Sequence, residues 1–202
     1  MKLYHNTASP YIRKVMVLLH ETGQLGDVEL VNASGTAIDP GTMPISQNPL
    51  GKVPTLERDD GPALYDSRVI CQYLDTRANA GLYPEAPALW DTLTLEATAD
   101  GILDAAILMT YEARIRPEEL RYAPWVDAQW GKISRALTAL NTRWMSHLHG
   151  KLDMGQLAVA CALGYLDFRH DARNWRQGND SLAAWYAEFE KRDSLQATIP
   201  AG

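Results

Sequence analysis

The rhythm of apolar and polar positions changes near residue 85. Before it, short apolar runs alternate with single amphipathic stretches. Residues 2–5 predict a short strand. Ser9-Pro10 predicts a helix start, with Ser as N-cap and Pro at the first helical position, where a missing N–H costs nothing. Ile12, Val15, Met16 and Leu19 follow at helical spacing, and Gly23 ends the run. Residues 28–31 read as a second strand. Residues 33–51, rich in Gly, Pro, Ser, Asn and Thr, read mostly as loop. Residues 53–57 and 63–65 form a hairpin pattern around Asp59-Asp60-Gly61. A helix starting near Asp66-Ser67 carries Val69, Ile70, Tyr73 and Leu74 on one side. The order β-α-β-(loop)-β-β-α is that of a small α/β unit.

The later positions show only the helical period. Residues 90–115 form a long helical stretch with Leu93, Ala97, Ile102, Leu103, Ile107 and Leu108 available for burial. Residues 125–148 make another, stopped by Gly150. Asp153 and Gln156 have capping-box spacing just before the very apolar run 157–166, which is expected to be central and buried. Residues 181–190 give a last helix. Gly81, Pro84 and Pro87 break the chain between the two patterns. The expected division is an α/β domain over 1–79, a linker over 80–86 and an all-helical domain over 87–202. All six tryptophans fall at or after Trp90 and read mostly as packing residues.

Composition narrows the function. A chain of 202 residues with 46% apolar content buries a core without staples. With 19 basic against 25 acidic side chains, it lacks the excess of a dedicated nucleic-acid binder. No apolar run reaches the ~20 residues of a membrane span, and no secretory pattern opens the chain, so a cytoplasmic setting is expected. Cys71 and Cys161 support neither a disulfide framework nor a zinc site and read as inert core residues. His147 and His149 lack a third ligand nearby, so no metal is expected. Glu118-Glu119 reads as an exposed helix start.

Three segments of the first unit suggest chemistry. Thr7–Lys14 runs from a hydroxyl-bearing loop into a helix whose unpaired N–H groups favour an anion such as a thiolate. In Asn48–Thr55, Pro54 opens a strand, a position suited to a cis bond that leaves its predecessor's backbone for a ligand. Asp66-Ser67-Arg68 is a helix start suited to a carboxylate or an amino-acid end group.

Together SPYIRKV at 9–15, NPLGKVPTL at 48–56 and DSRVI at 66–70 resemble the thioredoxin-like domain of cytosolic glutathione S-transferases. In the helical part, Ala99–Asp104 (ADGILD) and Ala160–Arg169 (ACALGYLDFR) look most like a bacterial YibF-like subgroup. The resemblance covers nearly the whole chain. It implies an α/β plus all-α fold, a thioredoxin-like domain followed by a helical bundle.

It also implies a homodimeric transferase acting in detoxification, with glutathione as substrate and a small hydrophobic electrophile as partner. Nucleic acid, membrane and metal play no part in it. Val53 matches the residue whose backbone pairs with the cysteinyl part of glutathione, and Pro54 the family's cis-proline. Asp66 and Ser67 match the pair that holds the γ-glutamyl end; the family more often has Glu at the first, so Asp66 reaches less far. Lys52 and Arg68 are placed to meet glutathione carboxylates. Asp104, or Asp100, resembles the helical position that reaches a partner subunit's glutathione. Ser9 is the expected thiolate donor, with Thr7 two residues earlier as the alternative. Tyr4 reads as a packing residue and Tyr11 as a rim residue. Met109, Tyr111 and some of the tryptophans are expected to line the hydrophobic cleft between the domains. Ser9-Pro-Tyr-Ile12 overlays the Cys-Pro-Tyr-Cys of glutaredoxins with both sulfurs absent, so protein-based dithiol chemistry is excluded there. Alternative functions are a glutathione-dependent disulfide or peroxide reductase and a non-catalytic partner-binding protein of the same fold.

Overall fold

The computed structural model describes all 202 residues. They form two compact units, Met1–Tyr83 with Asp193–Gly202, and Pro84–Arg192.

In the first unit, strands β1 (Lys2–His5), β2 (Glu29–Asn32), β3 (Thr55–Arg58) and β4 (Gly61–Leu64) form one sheet in the order β2-β1-β3-β4. β1 and β2 are parallel and joined through helix α1 (Pro10–Glu21). The other pairs are antiparallel. Leu3 pairs with Leu56, and Leu56 with Leu64. Leu3 and Leu56 are fully buried, while the alternate positions Tyr4 and Glu57 are half-buried. Helix α2 (Ser67–Ala78) packs on α1 through Ile70, Cys71 and Leu74, all fully buried, as are Val15, Leu18 and Leu19 of α1.

The expected hairpin is displaced: β3 begins at Thr55 rather than at 53, and β4 spans Gly61–Leu64 rather than 63–65. Pro54 has no N–H to give the sheet. The Lys52 carbonyl is already taken by the Asn48 side chain (3.0 Å) and the Thr55 hydroxyl (2.9 Å).

In the second unit, α3 (Ala88–Arg114), α4 (Ala123–Arg143), α5 (Met145–Leu148), α6 (Met154–His170) and α7 (Asp180–Phe189) form a bundle. Every residue of α6 from Met154 to Leu166 is buried, so this helix is the axis of the unit. α6 lies close against α3 at Gly155, where a Cβ would stand 2.8 Å from Leu95 Cβ and 3.1 Å from the Thr92 carbonyl oxygen. The Asp153 side chain accepts from Gln156 N (3.0 Å) and from Thr92 Oγ1 (2.6 Å), and lies 2.6 Å from His147 Nε2.

Three expectations differ. The single helix over 125–148 is two, because Trp144 with ψ 0° closes α4 and the last turn is drawn elsewhere. Leu148 gives its carbonyl to Trp185 Nε1 (2.8 Å), and His147 turns to Asp153. The tryptophans are not uniformly core: Trp175 and Trp185 are buried, but Trp90 is 61% exposed. Finally, the chain from Asp193 onward, with helix α8 (Asp193–Gln196), belongs to the first unit rather than to the helical one. There Arg13 Nη2 donates to the Leu195 carbonyl (3.3 Å), and Ser194 donates to Glu21.

Asp153→Ala removes the N-cap of α6 and leaves the Thr92 hydroxyl only the Ala88 carbonyl, at 3.4 Å, as acceptor. An expected loss of about 2 kcal/mol, a cap plus one buried hydrogen bond, is read from the urea midpoint.

Candidate functional site

Strand register brings the three chemical segments of the first unit to one end of the sheet. Tyr4 of β1 pairs with Thr55 of β3, so the loop after β1 and the segment before β3 lie side by side. Leu56 pairs with Leu64, which sets the start of α2 next to them.

Ser9 sits in extended conformation (φ −84°, ψ 120°) as N-cap of α1. Its Oγ accepts from Ile12 N at 3.4 Å, and Pro10 occupies the first helical position. That contact uses an oxygen lone pair and leaves the hydroxyl proton available as a donor. Ser9 is half-buried, at a helix end that favours negative charge. The loop that holds it is braced by Asn6, whose Oδ1 accepts from Ala8 N (2.9 Å) and whose Nδ2 donates to the Ala33 carbonyl (3.4 Å).

The alternative donors are placed differently. Thr7 is exposed and already donates its hydroxyl to the Ala201 carbonyl (3.1 Å). Tyr4 donates to Glu57 Oε2 at 3.3 Å. Burial, then the charge and hydrogen bond of Glu57, push the Tyr4 phenol above its ordinary pKa. Tyr11 is half-buried near the start of α1.

At the second segment the Val53–Pro54 bond is cis. β3 begins at Thr55, so Val53 stands outside its pairing with β1. Asn48, only 1% exposed, is the brace of this turn: its Nδ2 also donates to Thr55 Oγ1 (3.1 Å), and its Oδ1 accepts from Leu50 N (3.0 Å). The Lys52 side chain is exposed.

At the third segment Asp66 caps α2, accepting from Arg68 N at 3.1 Å. Arg68 closes on the same carboxylate with Nε (3.3 Å) and Nη2 (2.7 Å). Partial burial acts to raise the Asp66 pKa. The hydrogen bonds and charge of Arg68 and the charge of Lys14 outweigh it, so the carboxyl lies below its ordinary value. Ser67 is the first helical residue and is buried.

Asp104 lies at an exposed position of α3 in the second unit, with Asp100 buried one turn earlier. On that helix Met109 is buried, whereas Tyr111 is 39% exposed. Both cysteines are fully buried, and no three His, Cys, Asp or Glu side chains converge on a metal position.

Sequence reading passed over three residues of this end: Asn6, Lys14 and Asn48. Asn48-Pro49 carries a turn signal that points to its role. Lys14, fully buried in α1, gave no local sign of its electrostatic reach to Asp66.

Comparison with known proteins decides the family. Family models for the glutathione S-transferase N-terminal and C-terminal domains match residues 3–82 and 123–188. The chain is 32% identical over 206 residues to the uncharacterized GST-like protein YibF of Escherichia coli K12, covering 99% of this chain and 98% of that one. This chain belongs to the glutathione S-transferase family. Among solved transferase structures, a family member from Pseudomonas fluorescens Pf-5 with bound glutathione is 48% identical, with TM-score 0.96 over 100% of this chain and 99% of its own. A second structure of a Pf-5 member, also 48% identical with TM-score 0.92 over the whole of both chains, holds S-(propanoic acid)-glutathione. A glutathione S-transferase from Methylobacillus flagellatus KT with glutathione bound is 33% identical, with TM-score 0.86 over 99% of both chains.

The acid at position 66 gives a pH test in the transferase fold. Its folded-state pKa lies below the unfolded value, so its stabilisation is present above the ordinary carboxylate range of ~3.9 and is lost as pH falls through the folded value. Asp66→Asn keeps a capping oxygen and removes only the charge. The variant is expected to be less stable at neutral pH by up to about 1 kcal/mol, small because the pair is half exposed. Urea midpoints of the two proteins should converge in acid.

Proposed function

We propose that the protein is a glutathione transferase that binds glutathione at the sheet end of its first unit and activates the thiol through Ser9. The observation that carries the reading is the Ser9 hydroxyl, whose lone pair caps α1 while its proton remains to be donated to sulfur. The backbone of Val53, outside the β1–β3 ladder, pairs with the cysteinyl unit, and Pro54 fixes that turn. Asp66 receives the α-ammonium of the γ-glutamyl end and Ser67 its carboxylate, at the N-terminus of α2. Lys52 and Arg68 meet glutathione carboxylates, and Asp104 acts toward the glutathione of a second copy in a homodimer.

The free thiol has a pKa of about 8.5 and only its thiolate is strongly nucleophilic. A hydrogen bond to a charged acceptor contributes about 1.5–3 kcal/mol and a helix end about 0.3–1 kcal/mol. One pKa unit is about 1.4 kcal/mol, so the two bring the thiol near neutrality. The relatives support conjugation: one 48%-identical structure carries glutathione, and the other carries a glutathione whose sulfur bears a propanoic acid group. No helix is long and apolar enough to cross a membrane.

Calorimetric titration is expected to show glutathione binding, and no heat at millimolar concentration overturns the reading. In Ser9→Ala the thiolate absorbance of the bound complex should titrate about one unit higher in pH, with conjugation at neutral pH down roughly tenfold. An unmoved thiol pKa leaves Ser9 as a cap alone. Asp66→Ala should weaken glutathione binding; equal affinity removes it from the site.

A further inference from the structure

One side chain of the first unit is held in a way that packing alone does not explain. Arg13 stands on α1 with 6% of its surface exposed. Its Nη2 donates to the Leu195 carbonyl at 3.3 Å, while its Nε and Nη1 are buried and meet no acceptor. In the whole chain these two nitrogens are the buried side-chain polar atoms without a hydrogen-bond partner. A guanidinium carries five N–H donors and a positive charge. One long bond to a neutral carbonyl leaves most of that unmatched, and a buried ion ordinarily comes with a counter-ion.

The elements around Arg13 hold none for it. Helix α2, helix α8 and the turn Leu25–Asp27 pack on α1. Of their acids, Asp66 is closed on by Arg68 and Asp27 by Arg77, while Asp75 accepts from Leu82 N and Tyr83 N. Asp193 of α8 is exposed. On α1 itself Glu21 accepts from Ser194 Oγ, His20 lies at the far end, and the fully buried Lys14 adds a second cation next to Arg13.

Position along the helix points to the missing partner. Arg13 N donates to the Ser9 carbonyl at 3.1 Å, so the two residues are one turn apart. At that spacing side chains share a face, with Cβ atoms about 5–6 Å apart. Ser9 is the N-cap, and the anion proposed to sit there arrives with glutathione. At an effective dielectric near 20, an uncompensated charge within about 10 Å moves a pKa by about one unit. Burial also shields that charge from screening by salt.

We propose that Arg13 is a positioning residue for the thiolate: its unneutralised charge, acting across the first turn of α1, holds the glutathione sulfur at Ser9 as an anion. The inference rests on the transferase reading and adds a second source of thiol activation to it. The thiol proton goes to solvent, and Arg13 neither gives nor takes one. The fold keeps an unmatched cation because the ligand supplies the negative charge.

Arg13→Met keeps an unbranched apolar body and removes the charge together with its unmatched donors. The variant is expected to hold or gain stability in urea, while the thiolate absorbance of its glutathione complex titrates about one pH unit higher. Arg13→Lys keeps the charge without the guanidinium, and its bound thiol is expected to titrate within a few tenths of a unit of the parent. A residue that only ties α8 to α1 gives the opposite pattern, a lower urea midpoint in Arg13→Met with the thiol titration unmoved, and that result overturns the proposal. A bound thiol that titrates a full unit above the parent in Arg13→Lys overturns it too, even where the methionine variant fails to fold. If the parent takes up no glutathione in calorimetry, the transferase reading falls and this role of Arg13 with it. A parent complex whose lowered thiol pKa survives Arg13→Met overturns the role of Arg13 alone.

Discussion

Everything at the candidate site of the first unit depends on the cross-strand alignment of Leu3, Leu56 and Leu64. Side chains alternate faces along a strand, so a slip of one residue would turn Leu3 and Leu56 out of the core. Burying two leucines stabilises the correct register by a few kcal/mol, about 1.5–3 each. That register fixes where the loop after β1, the turn before β3 and the start of α2 come to lie. The site therefore needs no long-range tether of its own. Its braces are short: Asn6 across the first loop, Asn48 across the second, Asp66 on the first turn of α2. Each is a polar side chain satisfying backbone groups that the sheet and helices leave open.

The helical unit is organised by a different constraint. A helix buried on all faces, as α6 is, cannot leave its first N–H groups to water, so its cap must be supplied from within. Asp153 supplies it, and the same carboxylate gathers Thr92 of α3 and His147 of α5. Close approach at Gly155 follows from the missing side chain there. At the far end of the same pair of helices, Thr110, Tyr165 and His170 perform the corresponding closure.

How much of this was legible in the sequence depended on how local the cause was. Strand β1, the Ser9 and Asp66 caps, the Pro10 position and the Asp153–Gln156 cap are signals contained within four residues, and the structure has them where the residues indicated. The later start of β3 was half-legible: Pro54 was visible, but the competition of Asn48 for the Lys52 carbonyl was not. The break at Trp144 was not legible, since the bonds that draw the last turn away come from Trp185 and Asp153. Nor was the return of residues 193–202 to the first unit, held by contacts between residues 173 and 182 positions apart. The buried state of Met109 and the exposure of Trp90 were likewise set by which face of α3 turns inward, where apolar residues occur all round the helix.

The absence of sulfur at Ser9 gives the proposed mechanism its form. A cysteine at a helix N-terminus would itself become the thiolate. A serine there has a pKa far too high to ionise, so it can only donate to an anion brought by a ligand. One oxygen then performs two roles that do not compete, because the cap uses a lone pair and the donor uses the proton. Thr7, with its proton engaged by the Ala201 carbonyl, would have to give up that hydrogen bond first. Tyr4 would have to leave a carboxylate, the stronger acceptor. Compared with Thr7 and Tyr4, Ser9 is thus the hydroxyl that the proposed role asks to donate without breaking a bond the fold already makes. That difference of about one hydrogen bond, roughly 1 kcal/mol or more, favours it over its neighbours.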